Sequence, residues 1–359
     1  MLKQQKIFFD FLRFSIGSAK EISGSLKEVN WKELYAIAKK QCLVGVLFDG
    51  IKKLPAEYVG MEKEFLLQWM AESQMLEKAN VRLNGAAIQV SEWFRKKGFR
   101  TCILKGQGNA LMYPNPYSRT PGDIDIWVEG GDKRVISFVR SISPHEKACY
   151  HHIEFPSYKG VEVEVHYRPS FLLCFWYNRK LQKYYERVKE EQFSHRVMLG
   201  EQGEIAIPTM EFNLIFQLTH IYAHLMNEGI GLRQLLDYNY VLISDDLSLI
   251  RDRVQKELKE LGLWKFAGGI MYIMQEVFGM PASRLIVPPN EKYGKFVLNE
   301  VLEAGNFGKH DARNRFGRSQ LGHNLHRVYR DMRLVKFFPA EALCEPLFRT
   351  WHFFWRLKI

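Results

Sequence analysis

The sequence predicts an α+β protein, with a small mixed β-sheet flanked by an N-terminal and a C-terminal helical region. Three observations predict this. Apolar residues recur at three-to-four spacing up to about residue 97. Between 99 and 170 short β-branched runs are broken by glycine and proline. From 171 the helical spacing returns. At 359 residues the chain is long enough for two or three domains. These shifts divide it into an N-terminal helical region (1–97), a sheet core (98–170), a helical domain (171–304) and a basic C-terminal extension (305–359).

Trp31–Cys42 sets Trp31, Leu34, Tyr35, Ala38 and Cys42 on one helical face. Phe65–Phe94 continues at helical spacing, and Gly98 is its stop. FRTCIL is a short strand ending at Lys105-Gly106, and Gln107–Tyr113 a short helix. Pro114, Pro116 and Pro121 keep the next stretch irregular. A strand through Asp123 and a helix at Asp132–Ile142 follow. Then come strands at Ala148–Phe155 and Val161–Tyr167, joined by a turn at Ser157–Gly160. This order predicts a mixed sheet with helices on one face. Beyond it, Leu172–Val188 is aromatic and basic. Helices are expected at Met210–Leu225 (started at Thr209), Gly231–Ile243, Leu247–Leu261, Trp264–Phe278 and Glu291–Ala304.

Composition is that of a globular protein, 47% hydrophobic and 25% charged. The five cysteines are scattered without a CxxC, which argues against a zinc ribbon or disulfide frame and favours a reducing compartment. Asp10 and Arg13 interrupt the apolar start, unlike a signal peptide. No window approaches the roughly eighteen uncharged apolar residues of a membrane span. The expectation is a cytoplasmic protein with no transmembrane segment. A net charge of +11 suggests a polyanionic partner.

The chemistry centres on Thr101–Val128. Asp123 and Asp125 are two apart in an apolar strand and so share a face. Carboxylates held that close repel without a cation between them, and a hard divalent metal is the simplest cation. In VEVEVHY, Glu162, Glu164 and His166 alternate with Val161, Val163, Val165 and Tyr167. Alone this is an ordinary half-exposed strand. Beside an Asp-x-Asp strand it offers a third ligand, Glu164 or, alternatively, Glu162. Two metals about 3.5–4 Å apart clamp the attacking and leaving oxygens of an in-line displacement. Lys105, Gly106 and Arg119 would meet the phosphates, by charge and by close backbone approach. The Lys105-Gly106-Gln107-Gly108 turn lacks the spacing of a P-loop. His220 and His224, four apart on a helix, can bind zinc, although no third ligand lies near in sequence. Arg233 and Asp237, one turn apart, can form an ion pair.

The order Lys105-Gly106, Tyr113, Arg119, Gly122-Asp123-Ile124-Asp125 and Val163-Glu164-Val165-His166 resembles the nucleotidyltransferases of the DNA polymerase β superfamily. Within it, the chain resembles the uncharacterised bacterial nucleotidyltransferase family with Lys-Gly in the first turn and Glu-x-His on the last strand. The likeness is close over residues 100–170 and loose to about 245. It departs where the superfamily usually has Gly-Ser or Gly-Gly, since no Ser follows Gly106 here. The resemblance implies a nucleotidyltransferase core. It implies transfer of a nucleoside monophosphate from an NTP to an acceptor hydroxyl, with Mg2+ (or Mn2+) and release of pyrophosphate. Asp123 and Asp125 would hold both metals, and Glu164 the catalytic one. His166, Arg233 and Asp237 would line the acceptor or nucleotide pocket.

The tail, Gly305–Ile359, holds eleven Lys or Arg against four Asp or Glu. Asn314–Arg318 and His326–Lys336 interleave arginine with aromatics, either as an RNA-acceptor surface or as a helical cap with a basic solvated side. The final LFRTWHFFWRLKI is aromatic and basic, as a segment touching a membrane surface would be, but is expected to pack on the helical region. The competing function is a catalytically idle nucleotide- or RNA-binding module.

Overall fold

In a computed structural model the described residues are 3–21, 23–201, 203–309, 311, 313 and 320–359. Four strands form the main sheet: β1 (Thr101–Ile103), β2 (Ile124–Val128), β3 (His152–Tyr158) and β4 (Val161–His166). Their order is β1-β2-β4-β3. β1 runs antiparallel to β2, β4 parallel to β2, and β3 antiparallel to β4. The sheet is therefore mixed. β4 comes to lie beside β2 because β3 and β4 form a hairpin, turned at Lys159-Gly160, that enters with β4 innermost.

The alternation of β2 and β4 decides what each sheet face does. Ile124, Ile126 and Val128 join Val161, Val163 and Val165 in one apolar cluster. That cluster also holds Leu83, Ala87 and Phe94 of the helix Lys63–Lys96, and Val135 and Val139 of the helix Gly131–Ile142. The opposite face is covered as well, which corrects the one-sided layer expected from element order. Trp127 packs its ring 4.6 Å from Phe193 and 5.9 Å from Phe212. These lie on the helices Phe175–Ser194 and Met210–Asn227. Cys102, opposite Trp127 on β1, and Leu104 join the same apolar cluster and complete the docking surface for these helices. The remainder of that face stays open to a cavity.

The predicted helices are present with small shifts of boundary. Thr209 caps the helix Met210–Asn227, its side chain accepting from the Phe212 N–H. Gly231 precedes the helix Leu232–Ile243. The opening segment is itself a helix, Lys3–Ile16, which buries Ile7, Phe8, Phe11 and Leu12. A hairpin unmarked by the sequence pattern pairs β5 (Arg196–Met198) with β6 (Glu204–Ala206). Its strands are three residues long, too short for an alternation to register. No described helix is long and apolar enough to cross a membrane.

The tail forms the helices Gln320–Leu334 and Pro339–Arg356, while Asn314–Arg318 lies outside the described residues. Several of its cations face internal acids: Arg313 meets Asp311 and Glu300, Arg333 meets Glu300, and Arg349 meets Glu345. In the final stretch Phe348 is buried, and Trp351 packs edge-on to Tyr150. Phe353, Phe354 and Leu357 are exposed.

Candidate active site

The sheet gathers the carboxylates by register. Parallel pairing sets Asp125 opposite Glu164 and Trp127 opposite His166. Asp123, two residues earlier, precedes β2 on the same face. One oxygen from each of Asp123, Asp125 and Glu164 lies within 4.8 Å of the others. This all-oxygen set is compatible with a hard divalent cation. Glu162 is exposed and, among the described residues, does not belong to this cluster.

Lys105 reaches the same place because β1 is antiparallel to β2. The ladder runs on past Ile103, with the Leu104 N–H donating to the Asp125 carbonyl. The next residue therefore sits beside the carboxylates. Lys105 Nζ is 2.8 Å from Asp125 Oδ1 and 2.7 Å from His220 Nε2. Gly106 then turns the chain at φ +54° and ψ −110°. A side chain would strain that conformation.

The loop before β2 is bolted from beneath. Arg119 binds Asp237 through two bonds of 2.8 Å, and the Tyr113 hydroxyl donates to Asp237 at 2.6 Å. Asp237 therefore pairs with Arg119 and not with Arg233, the neighbour one turn away. Arg233 donates instead to the Thr120 carbonyl at 3.1 Å. A buried bidentate pair outweighs an i,i+4 contact. Both arginines line the cavity, but Arg119 is engaged by a carboxylate already.

The cavity measures about 330 Å³. Lys105, Asp123, Asp125, Glu164 and His166 line it from the sheet side, and His220, His224, Arg233 and Asp237 from the helices. His224 Nε2 stands 3.0 Å from His220 Nε2. Neither histidine belongs to a candidate metal cluster among the described residues.

Electrostatics follow from this crowding. The Asp125 charge, then burial, pushes the Asp123 carboxyl up to about 6. Burial works against the Asp125 carboxylate, yet Lys105 and the hydrogen-bonded His166 hold it well below the usual range. Burial likewise opposes ionised Glu164, and the His166 bond prevails and lowers it. His166 Nε2 is 3.0 Å from Asp125 Oδ1 and 3.4 Å from Glu164 Oε2. Despite burial, those partners raise His166 to about 9. Burial and the Lys105 charge drop His220 well below its ordinary value, which suits it to accept the Lys105 hydrogen bond. The site thus balances three carboxylates with an ammonium and an imidazolium, and Asp123 is the least compensated.

His151 and His152, on which the motif reading placed no role, also line this cavity. His152 pairs with His166 across β3–β4. The available signal was two adjacent histidines at the start of a strand whose hairpin partner carries Glu-x-His.

Residues 27–279 match the model of a family described as uncharacterised nucleotidyltransferase. No curated protein matches the chain. Among solved structures, an antigenic nucleotidyltransferase-like protein from Paracoccidioides brasiliensis matches at 13% identity and a TM-score of 0.34. That match covers 62% of this chain and 97% of the other. With most of its length inside the family match, the chain belongs to the uncharacterised nucleotidyltransferase family.

Proposed function

We propose that the protein moves a nucleoside monophosphate from an NTP to an acceptor hydroxyl, with release of pyrophosphate. The observation that carries this is the convergence of Asp123, Asp125 and Glu164 within 4.8 Å in a chain of a nucleotidyltransferase family. Asp123, Asp125 and Glu164 would hold Mg2+ (or Mn2+), which when bound supplies charge neutralisation and Lewis acidity at the phosphates. Lys105, beside Asp125 and His220, would place its ammonium at the polyphosphate, and Gly106 would bring the backbone close to it. The acceptor oxygen attacks the α-phosphorus, and the bond from that phosphorus to the β-bridging oxygen breaks. Glu164 orients the acceptor hydroxyl and takes its proton. Arg119 acts from behind, locking the loop to Asp237, while Arg233 lies nearer the pocket.

The acceptor is a hydroxyl of RNA, protein or a small molecule. The basic tail argues for RNA, weakened by the arginines already paired with internal acids. A steep fall of acceptor binding with salt would support RNA.

The test is incubation with each α-labelled NTP and a cell extract. Label should appear on an acceptor and vanish with Asp125→Ala. Transfer by that variant at the wild-type rate would overturn the assignment. Tight NTP–Mg2+ binding without turnover on any acceptor would instead favour an idle binding module.

A further inference from the structure

A second set of donors stands beside the carboxylates, and two of its three members are imidazoles. The β3–β4 register sets His152 opposite His166 on the face that carries Glu164. His152 Nδ1 is 3.5 Å from Glu164 Oε2, and His166 Nε2 is 3.4 Å from the same oxygen. The three donor atoms lie within 4.8 Å of one another. Ligands about 2.0–2.2 Å from an ion stand about 3.3–3.6 Å apart along a tetrahedral edge. Both nitrogen–oxygen spacings already have that length. His166 is also oriented as a ligating imidazole is. Its Nδ1 lies 3.4 Å from the Arg168 carbonyl, an acceptor for Nδ1–H, which leaves Nε2 facing the cluster. Asp125 Oδ1, 3.0 Å from His166 Nε2, is placed as a fourth donor.

We propose that His152, Glu164 and His166, with Asp125, form a mixed nitrogen–oxygen site for a borderline divalent ion of the Zn2+ or Co2+ class. It shares Asp125 and Glu164 with the oxygen-only set and differs from it in taking His152 and His166 in place of Asp123. Imidazole suits such ions, whereas Mg2+ prefers oxygen donors and keeps its waters. Three contacts yield when the ion binds. The proton on His166 Nε2, bonded to Asp125 and Glu164, leaves as that nitrogen becomes a ligand. His151 Nε2, 3.1 Å from His152 Nδ1, loses that hydrogen bond. Lys105, on Asp125, has His220 Nε2 as its other partner. The ligand set stands without reference to catalysis. Its further meaning, that the acceptor-side metal of nucleotidyl transfer is the nitrogen-ligated one, rests on the function proposed above.

The test uses the full, metal-stripped chain titrated with Co2+, whose visible absorption reports nitrogen ligation and low coordination number. The expected result is a visible band that persists in a hundredfold excess of Mg2+. His152→Gln should lower Co2+ affinity on the order of 100-fold, at or beyond the loss typical of outer-shell changes. Asp123→Asn should leave the band in place. A band unchanged in His152→Gln, or displaced by equimolar Mg2+, overturns the proposal. Should that variant fail to fold, the wild-type histidine ring resonances decide. Zn2+ must shift those of His152 and His166 and leave His195 unmoved. Equal shifts at all three, or none, overturn it. Transfer of label plays no part in these readings, so a lost activity with an intact band counts against the function alone.

Discussion

Asp237→Ala strands a buried guanidinium. Arg119 is 4% exposed and Asp237 5%. Two bonds of 2.8 Å join them, and the Tyr113 hydroxyl shares the same carboxylate at 2.6 Å. After the substitution Arg119 keeps the Thr120 carbonyl at 3.4 Å, and Tyr113 loses this acceptor. Removing one partner of a buried pair costs about 3–5 kcal/mol. The stranded hydroxyl adds about 1 kcal/mol. Asp237→Asn, which keeps one acceptor oxygen, should cost about 2 kcal/mol. The pair R119M/D237L removes both charges and should return to within about 1–2 kcal/mol of the wild type, because most of the single-variant penalty is the unpaired charge. Urea unfolding followed by tryptophan fluorescence measures all four proteins, with slopes compared to confirm that equal surfaces unfold. A midpoint for Asp237→Ala within about 1 kcal/mol of wild type would refute the reasoning. So would a double variant no more stable than the single one.

Three further outcomes are expected. Asp123, titrating at about 6, must lose its proton to bind a cation, so Mg2+ affinity should fall below pH 6, by up to about tenfold per pH unit, and level off above 7. Calorimetric titration from pH 5 to 8 checks this, and an affinity flat across that range counts against Asp123 as a ligand. Burial raises the Glu341 carboxyl from its ordinary 4.5 to about 7, although it accepts the Leu173 and Cys174 N–H groups. The native state therefore holds that proton more tightly than the unfolded chain. The resulting stability, about 3 kcal/mol, is fully present below pH 4.5 and lost as pH rises through 7. Glu341→Gln should flatten that part of the pH–stability curve, and a wild-type slope in the variant would remove Glu341 as its source. A Cβ at Gly45 would run into the Ser118 carbonyl oxygen, one residue before Arg119. Gly45→Ala should therefore cost about 1–3 kcal/mol by overpacking, read from the urea midpoint, and an unmoved midpoint would mean that the loop gives way freely.

What the sequence made legible is what a backbone period encodes. Asp123 and Asp125 share a face because strand residues alternate, and Glu164 and His166 do so for the same reason. That Asp125 lies opposite Glu164 is a matter of register, and no local pattern states it. It follows from a hairpin entering parallel to β2 through its second strand. Counter-charges were less legible still. Lys105 meets His220 across 115 residues, and Arg119 meets Asp237 across 118. Spacing alone suggested the local pair Arg233–Asp237 and a phosphate partner for Arg119, since a lone arginine in a proline-rich loop bears no mark of the carboxylate it will find. His151 and His152 were hidden by parity. A strand begun at Ala148 sends adjacent rings to opposite faces, only one of them toward the carboxylates. In the structure the strand begins at His152, so His151 is released from that alternation and both rings reach the cavity. The shift of four residues in where the strand begins thus accounts for His151, while His152 faces Glu164 by the same parity that aligns His166.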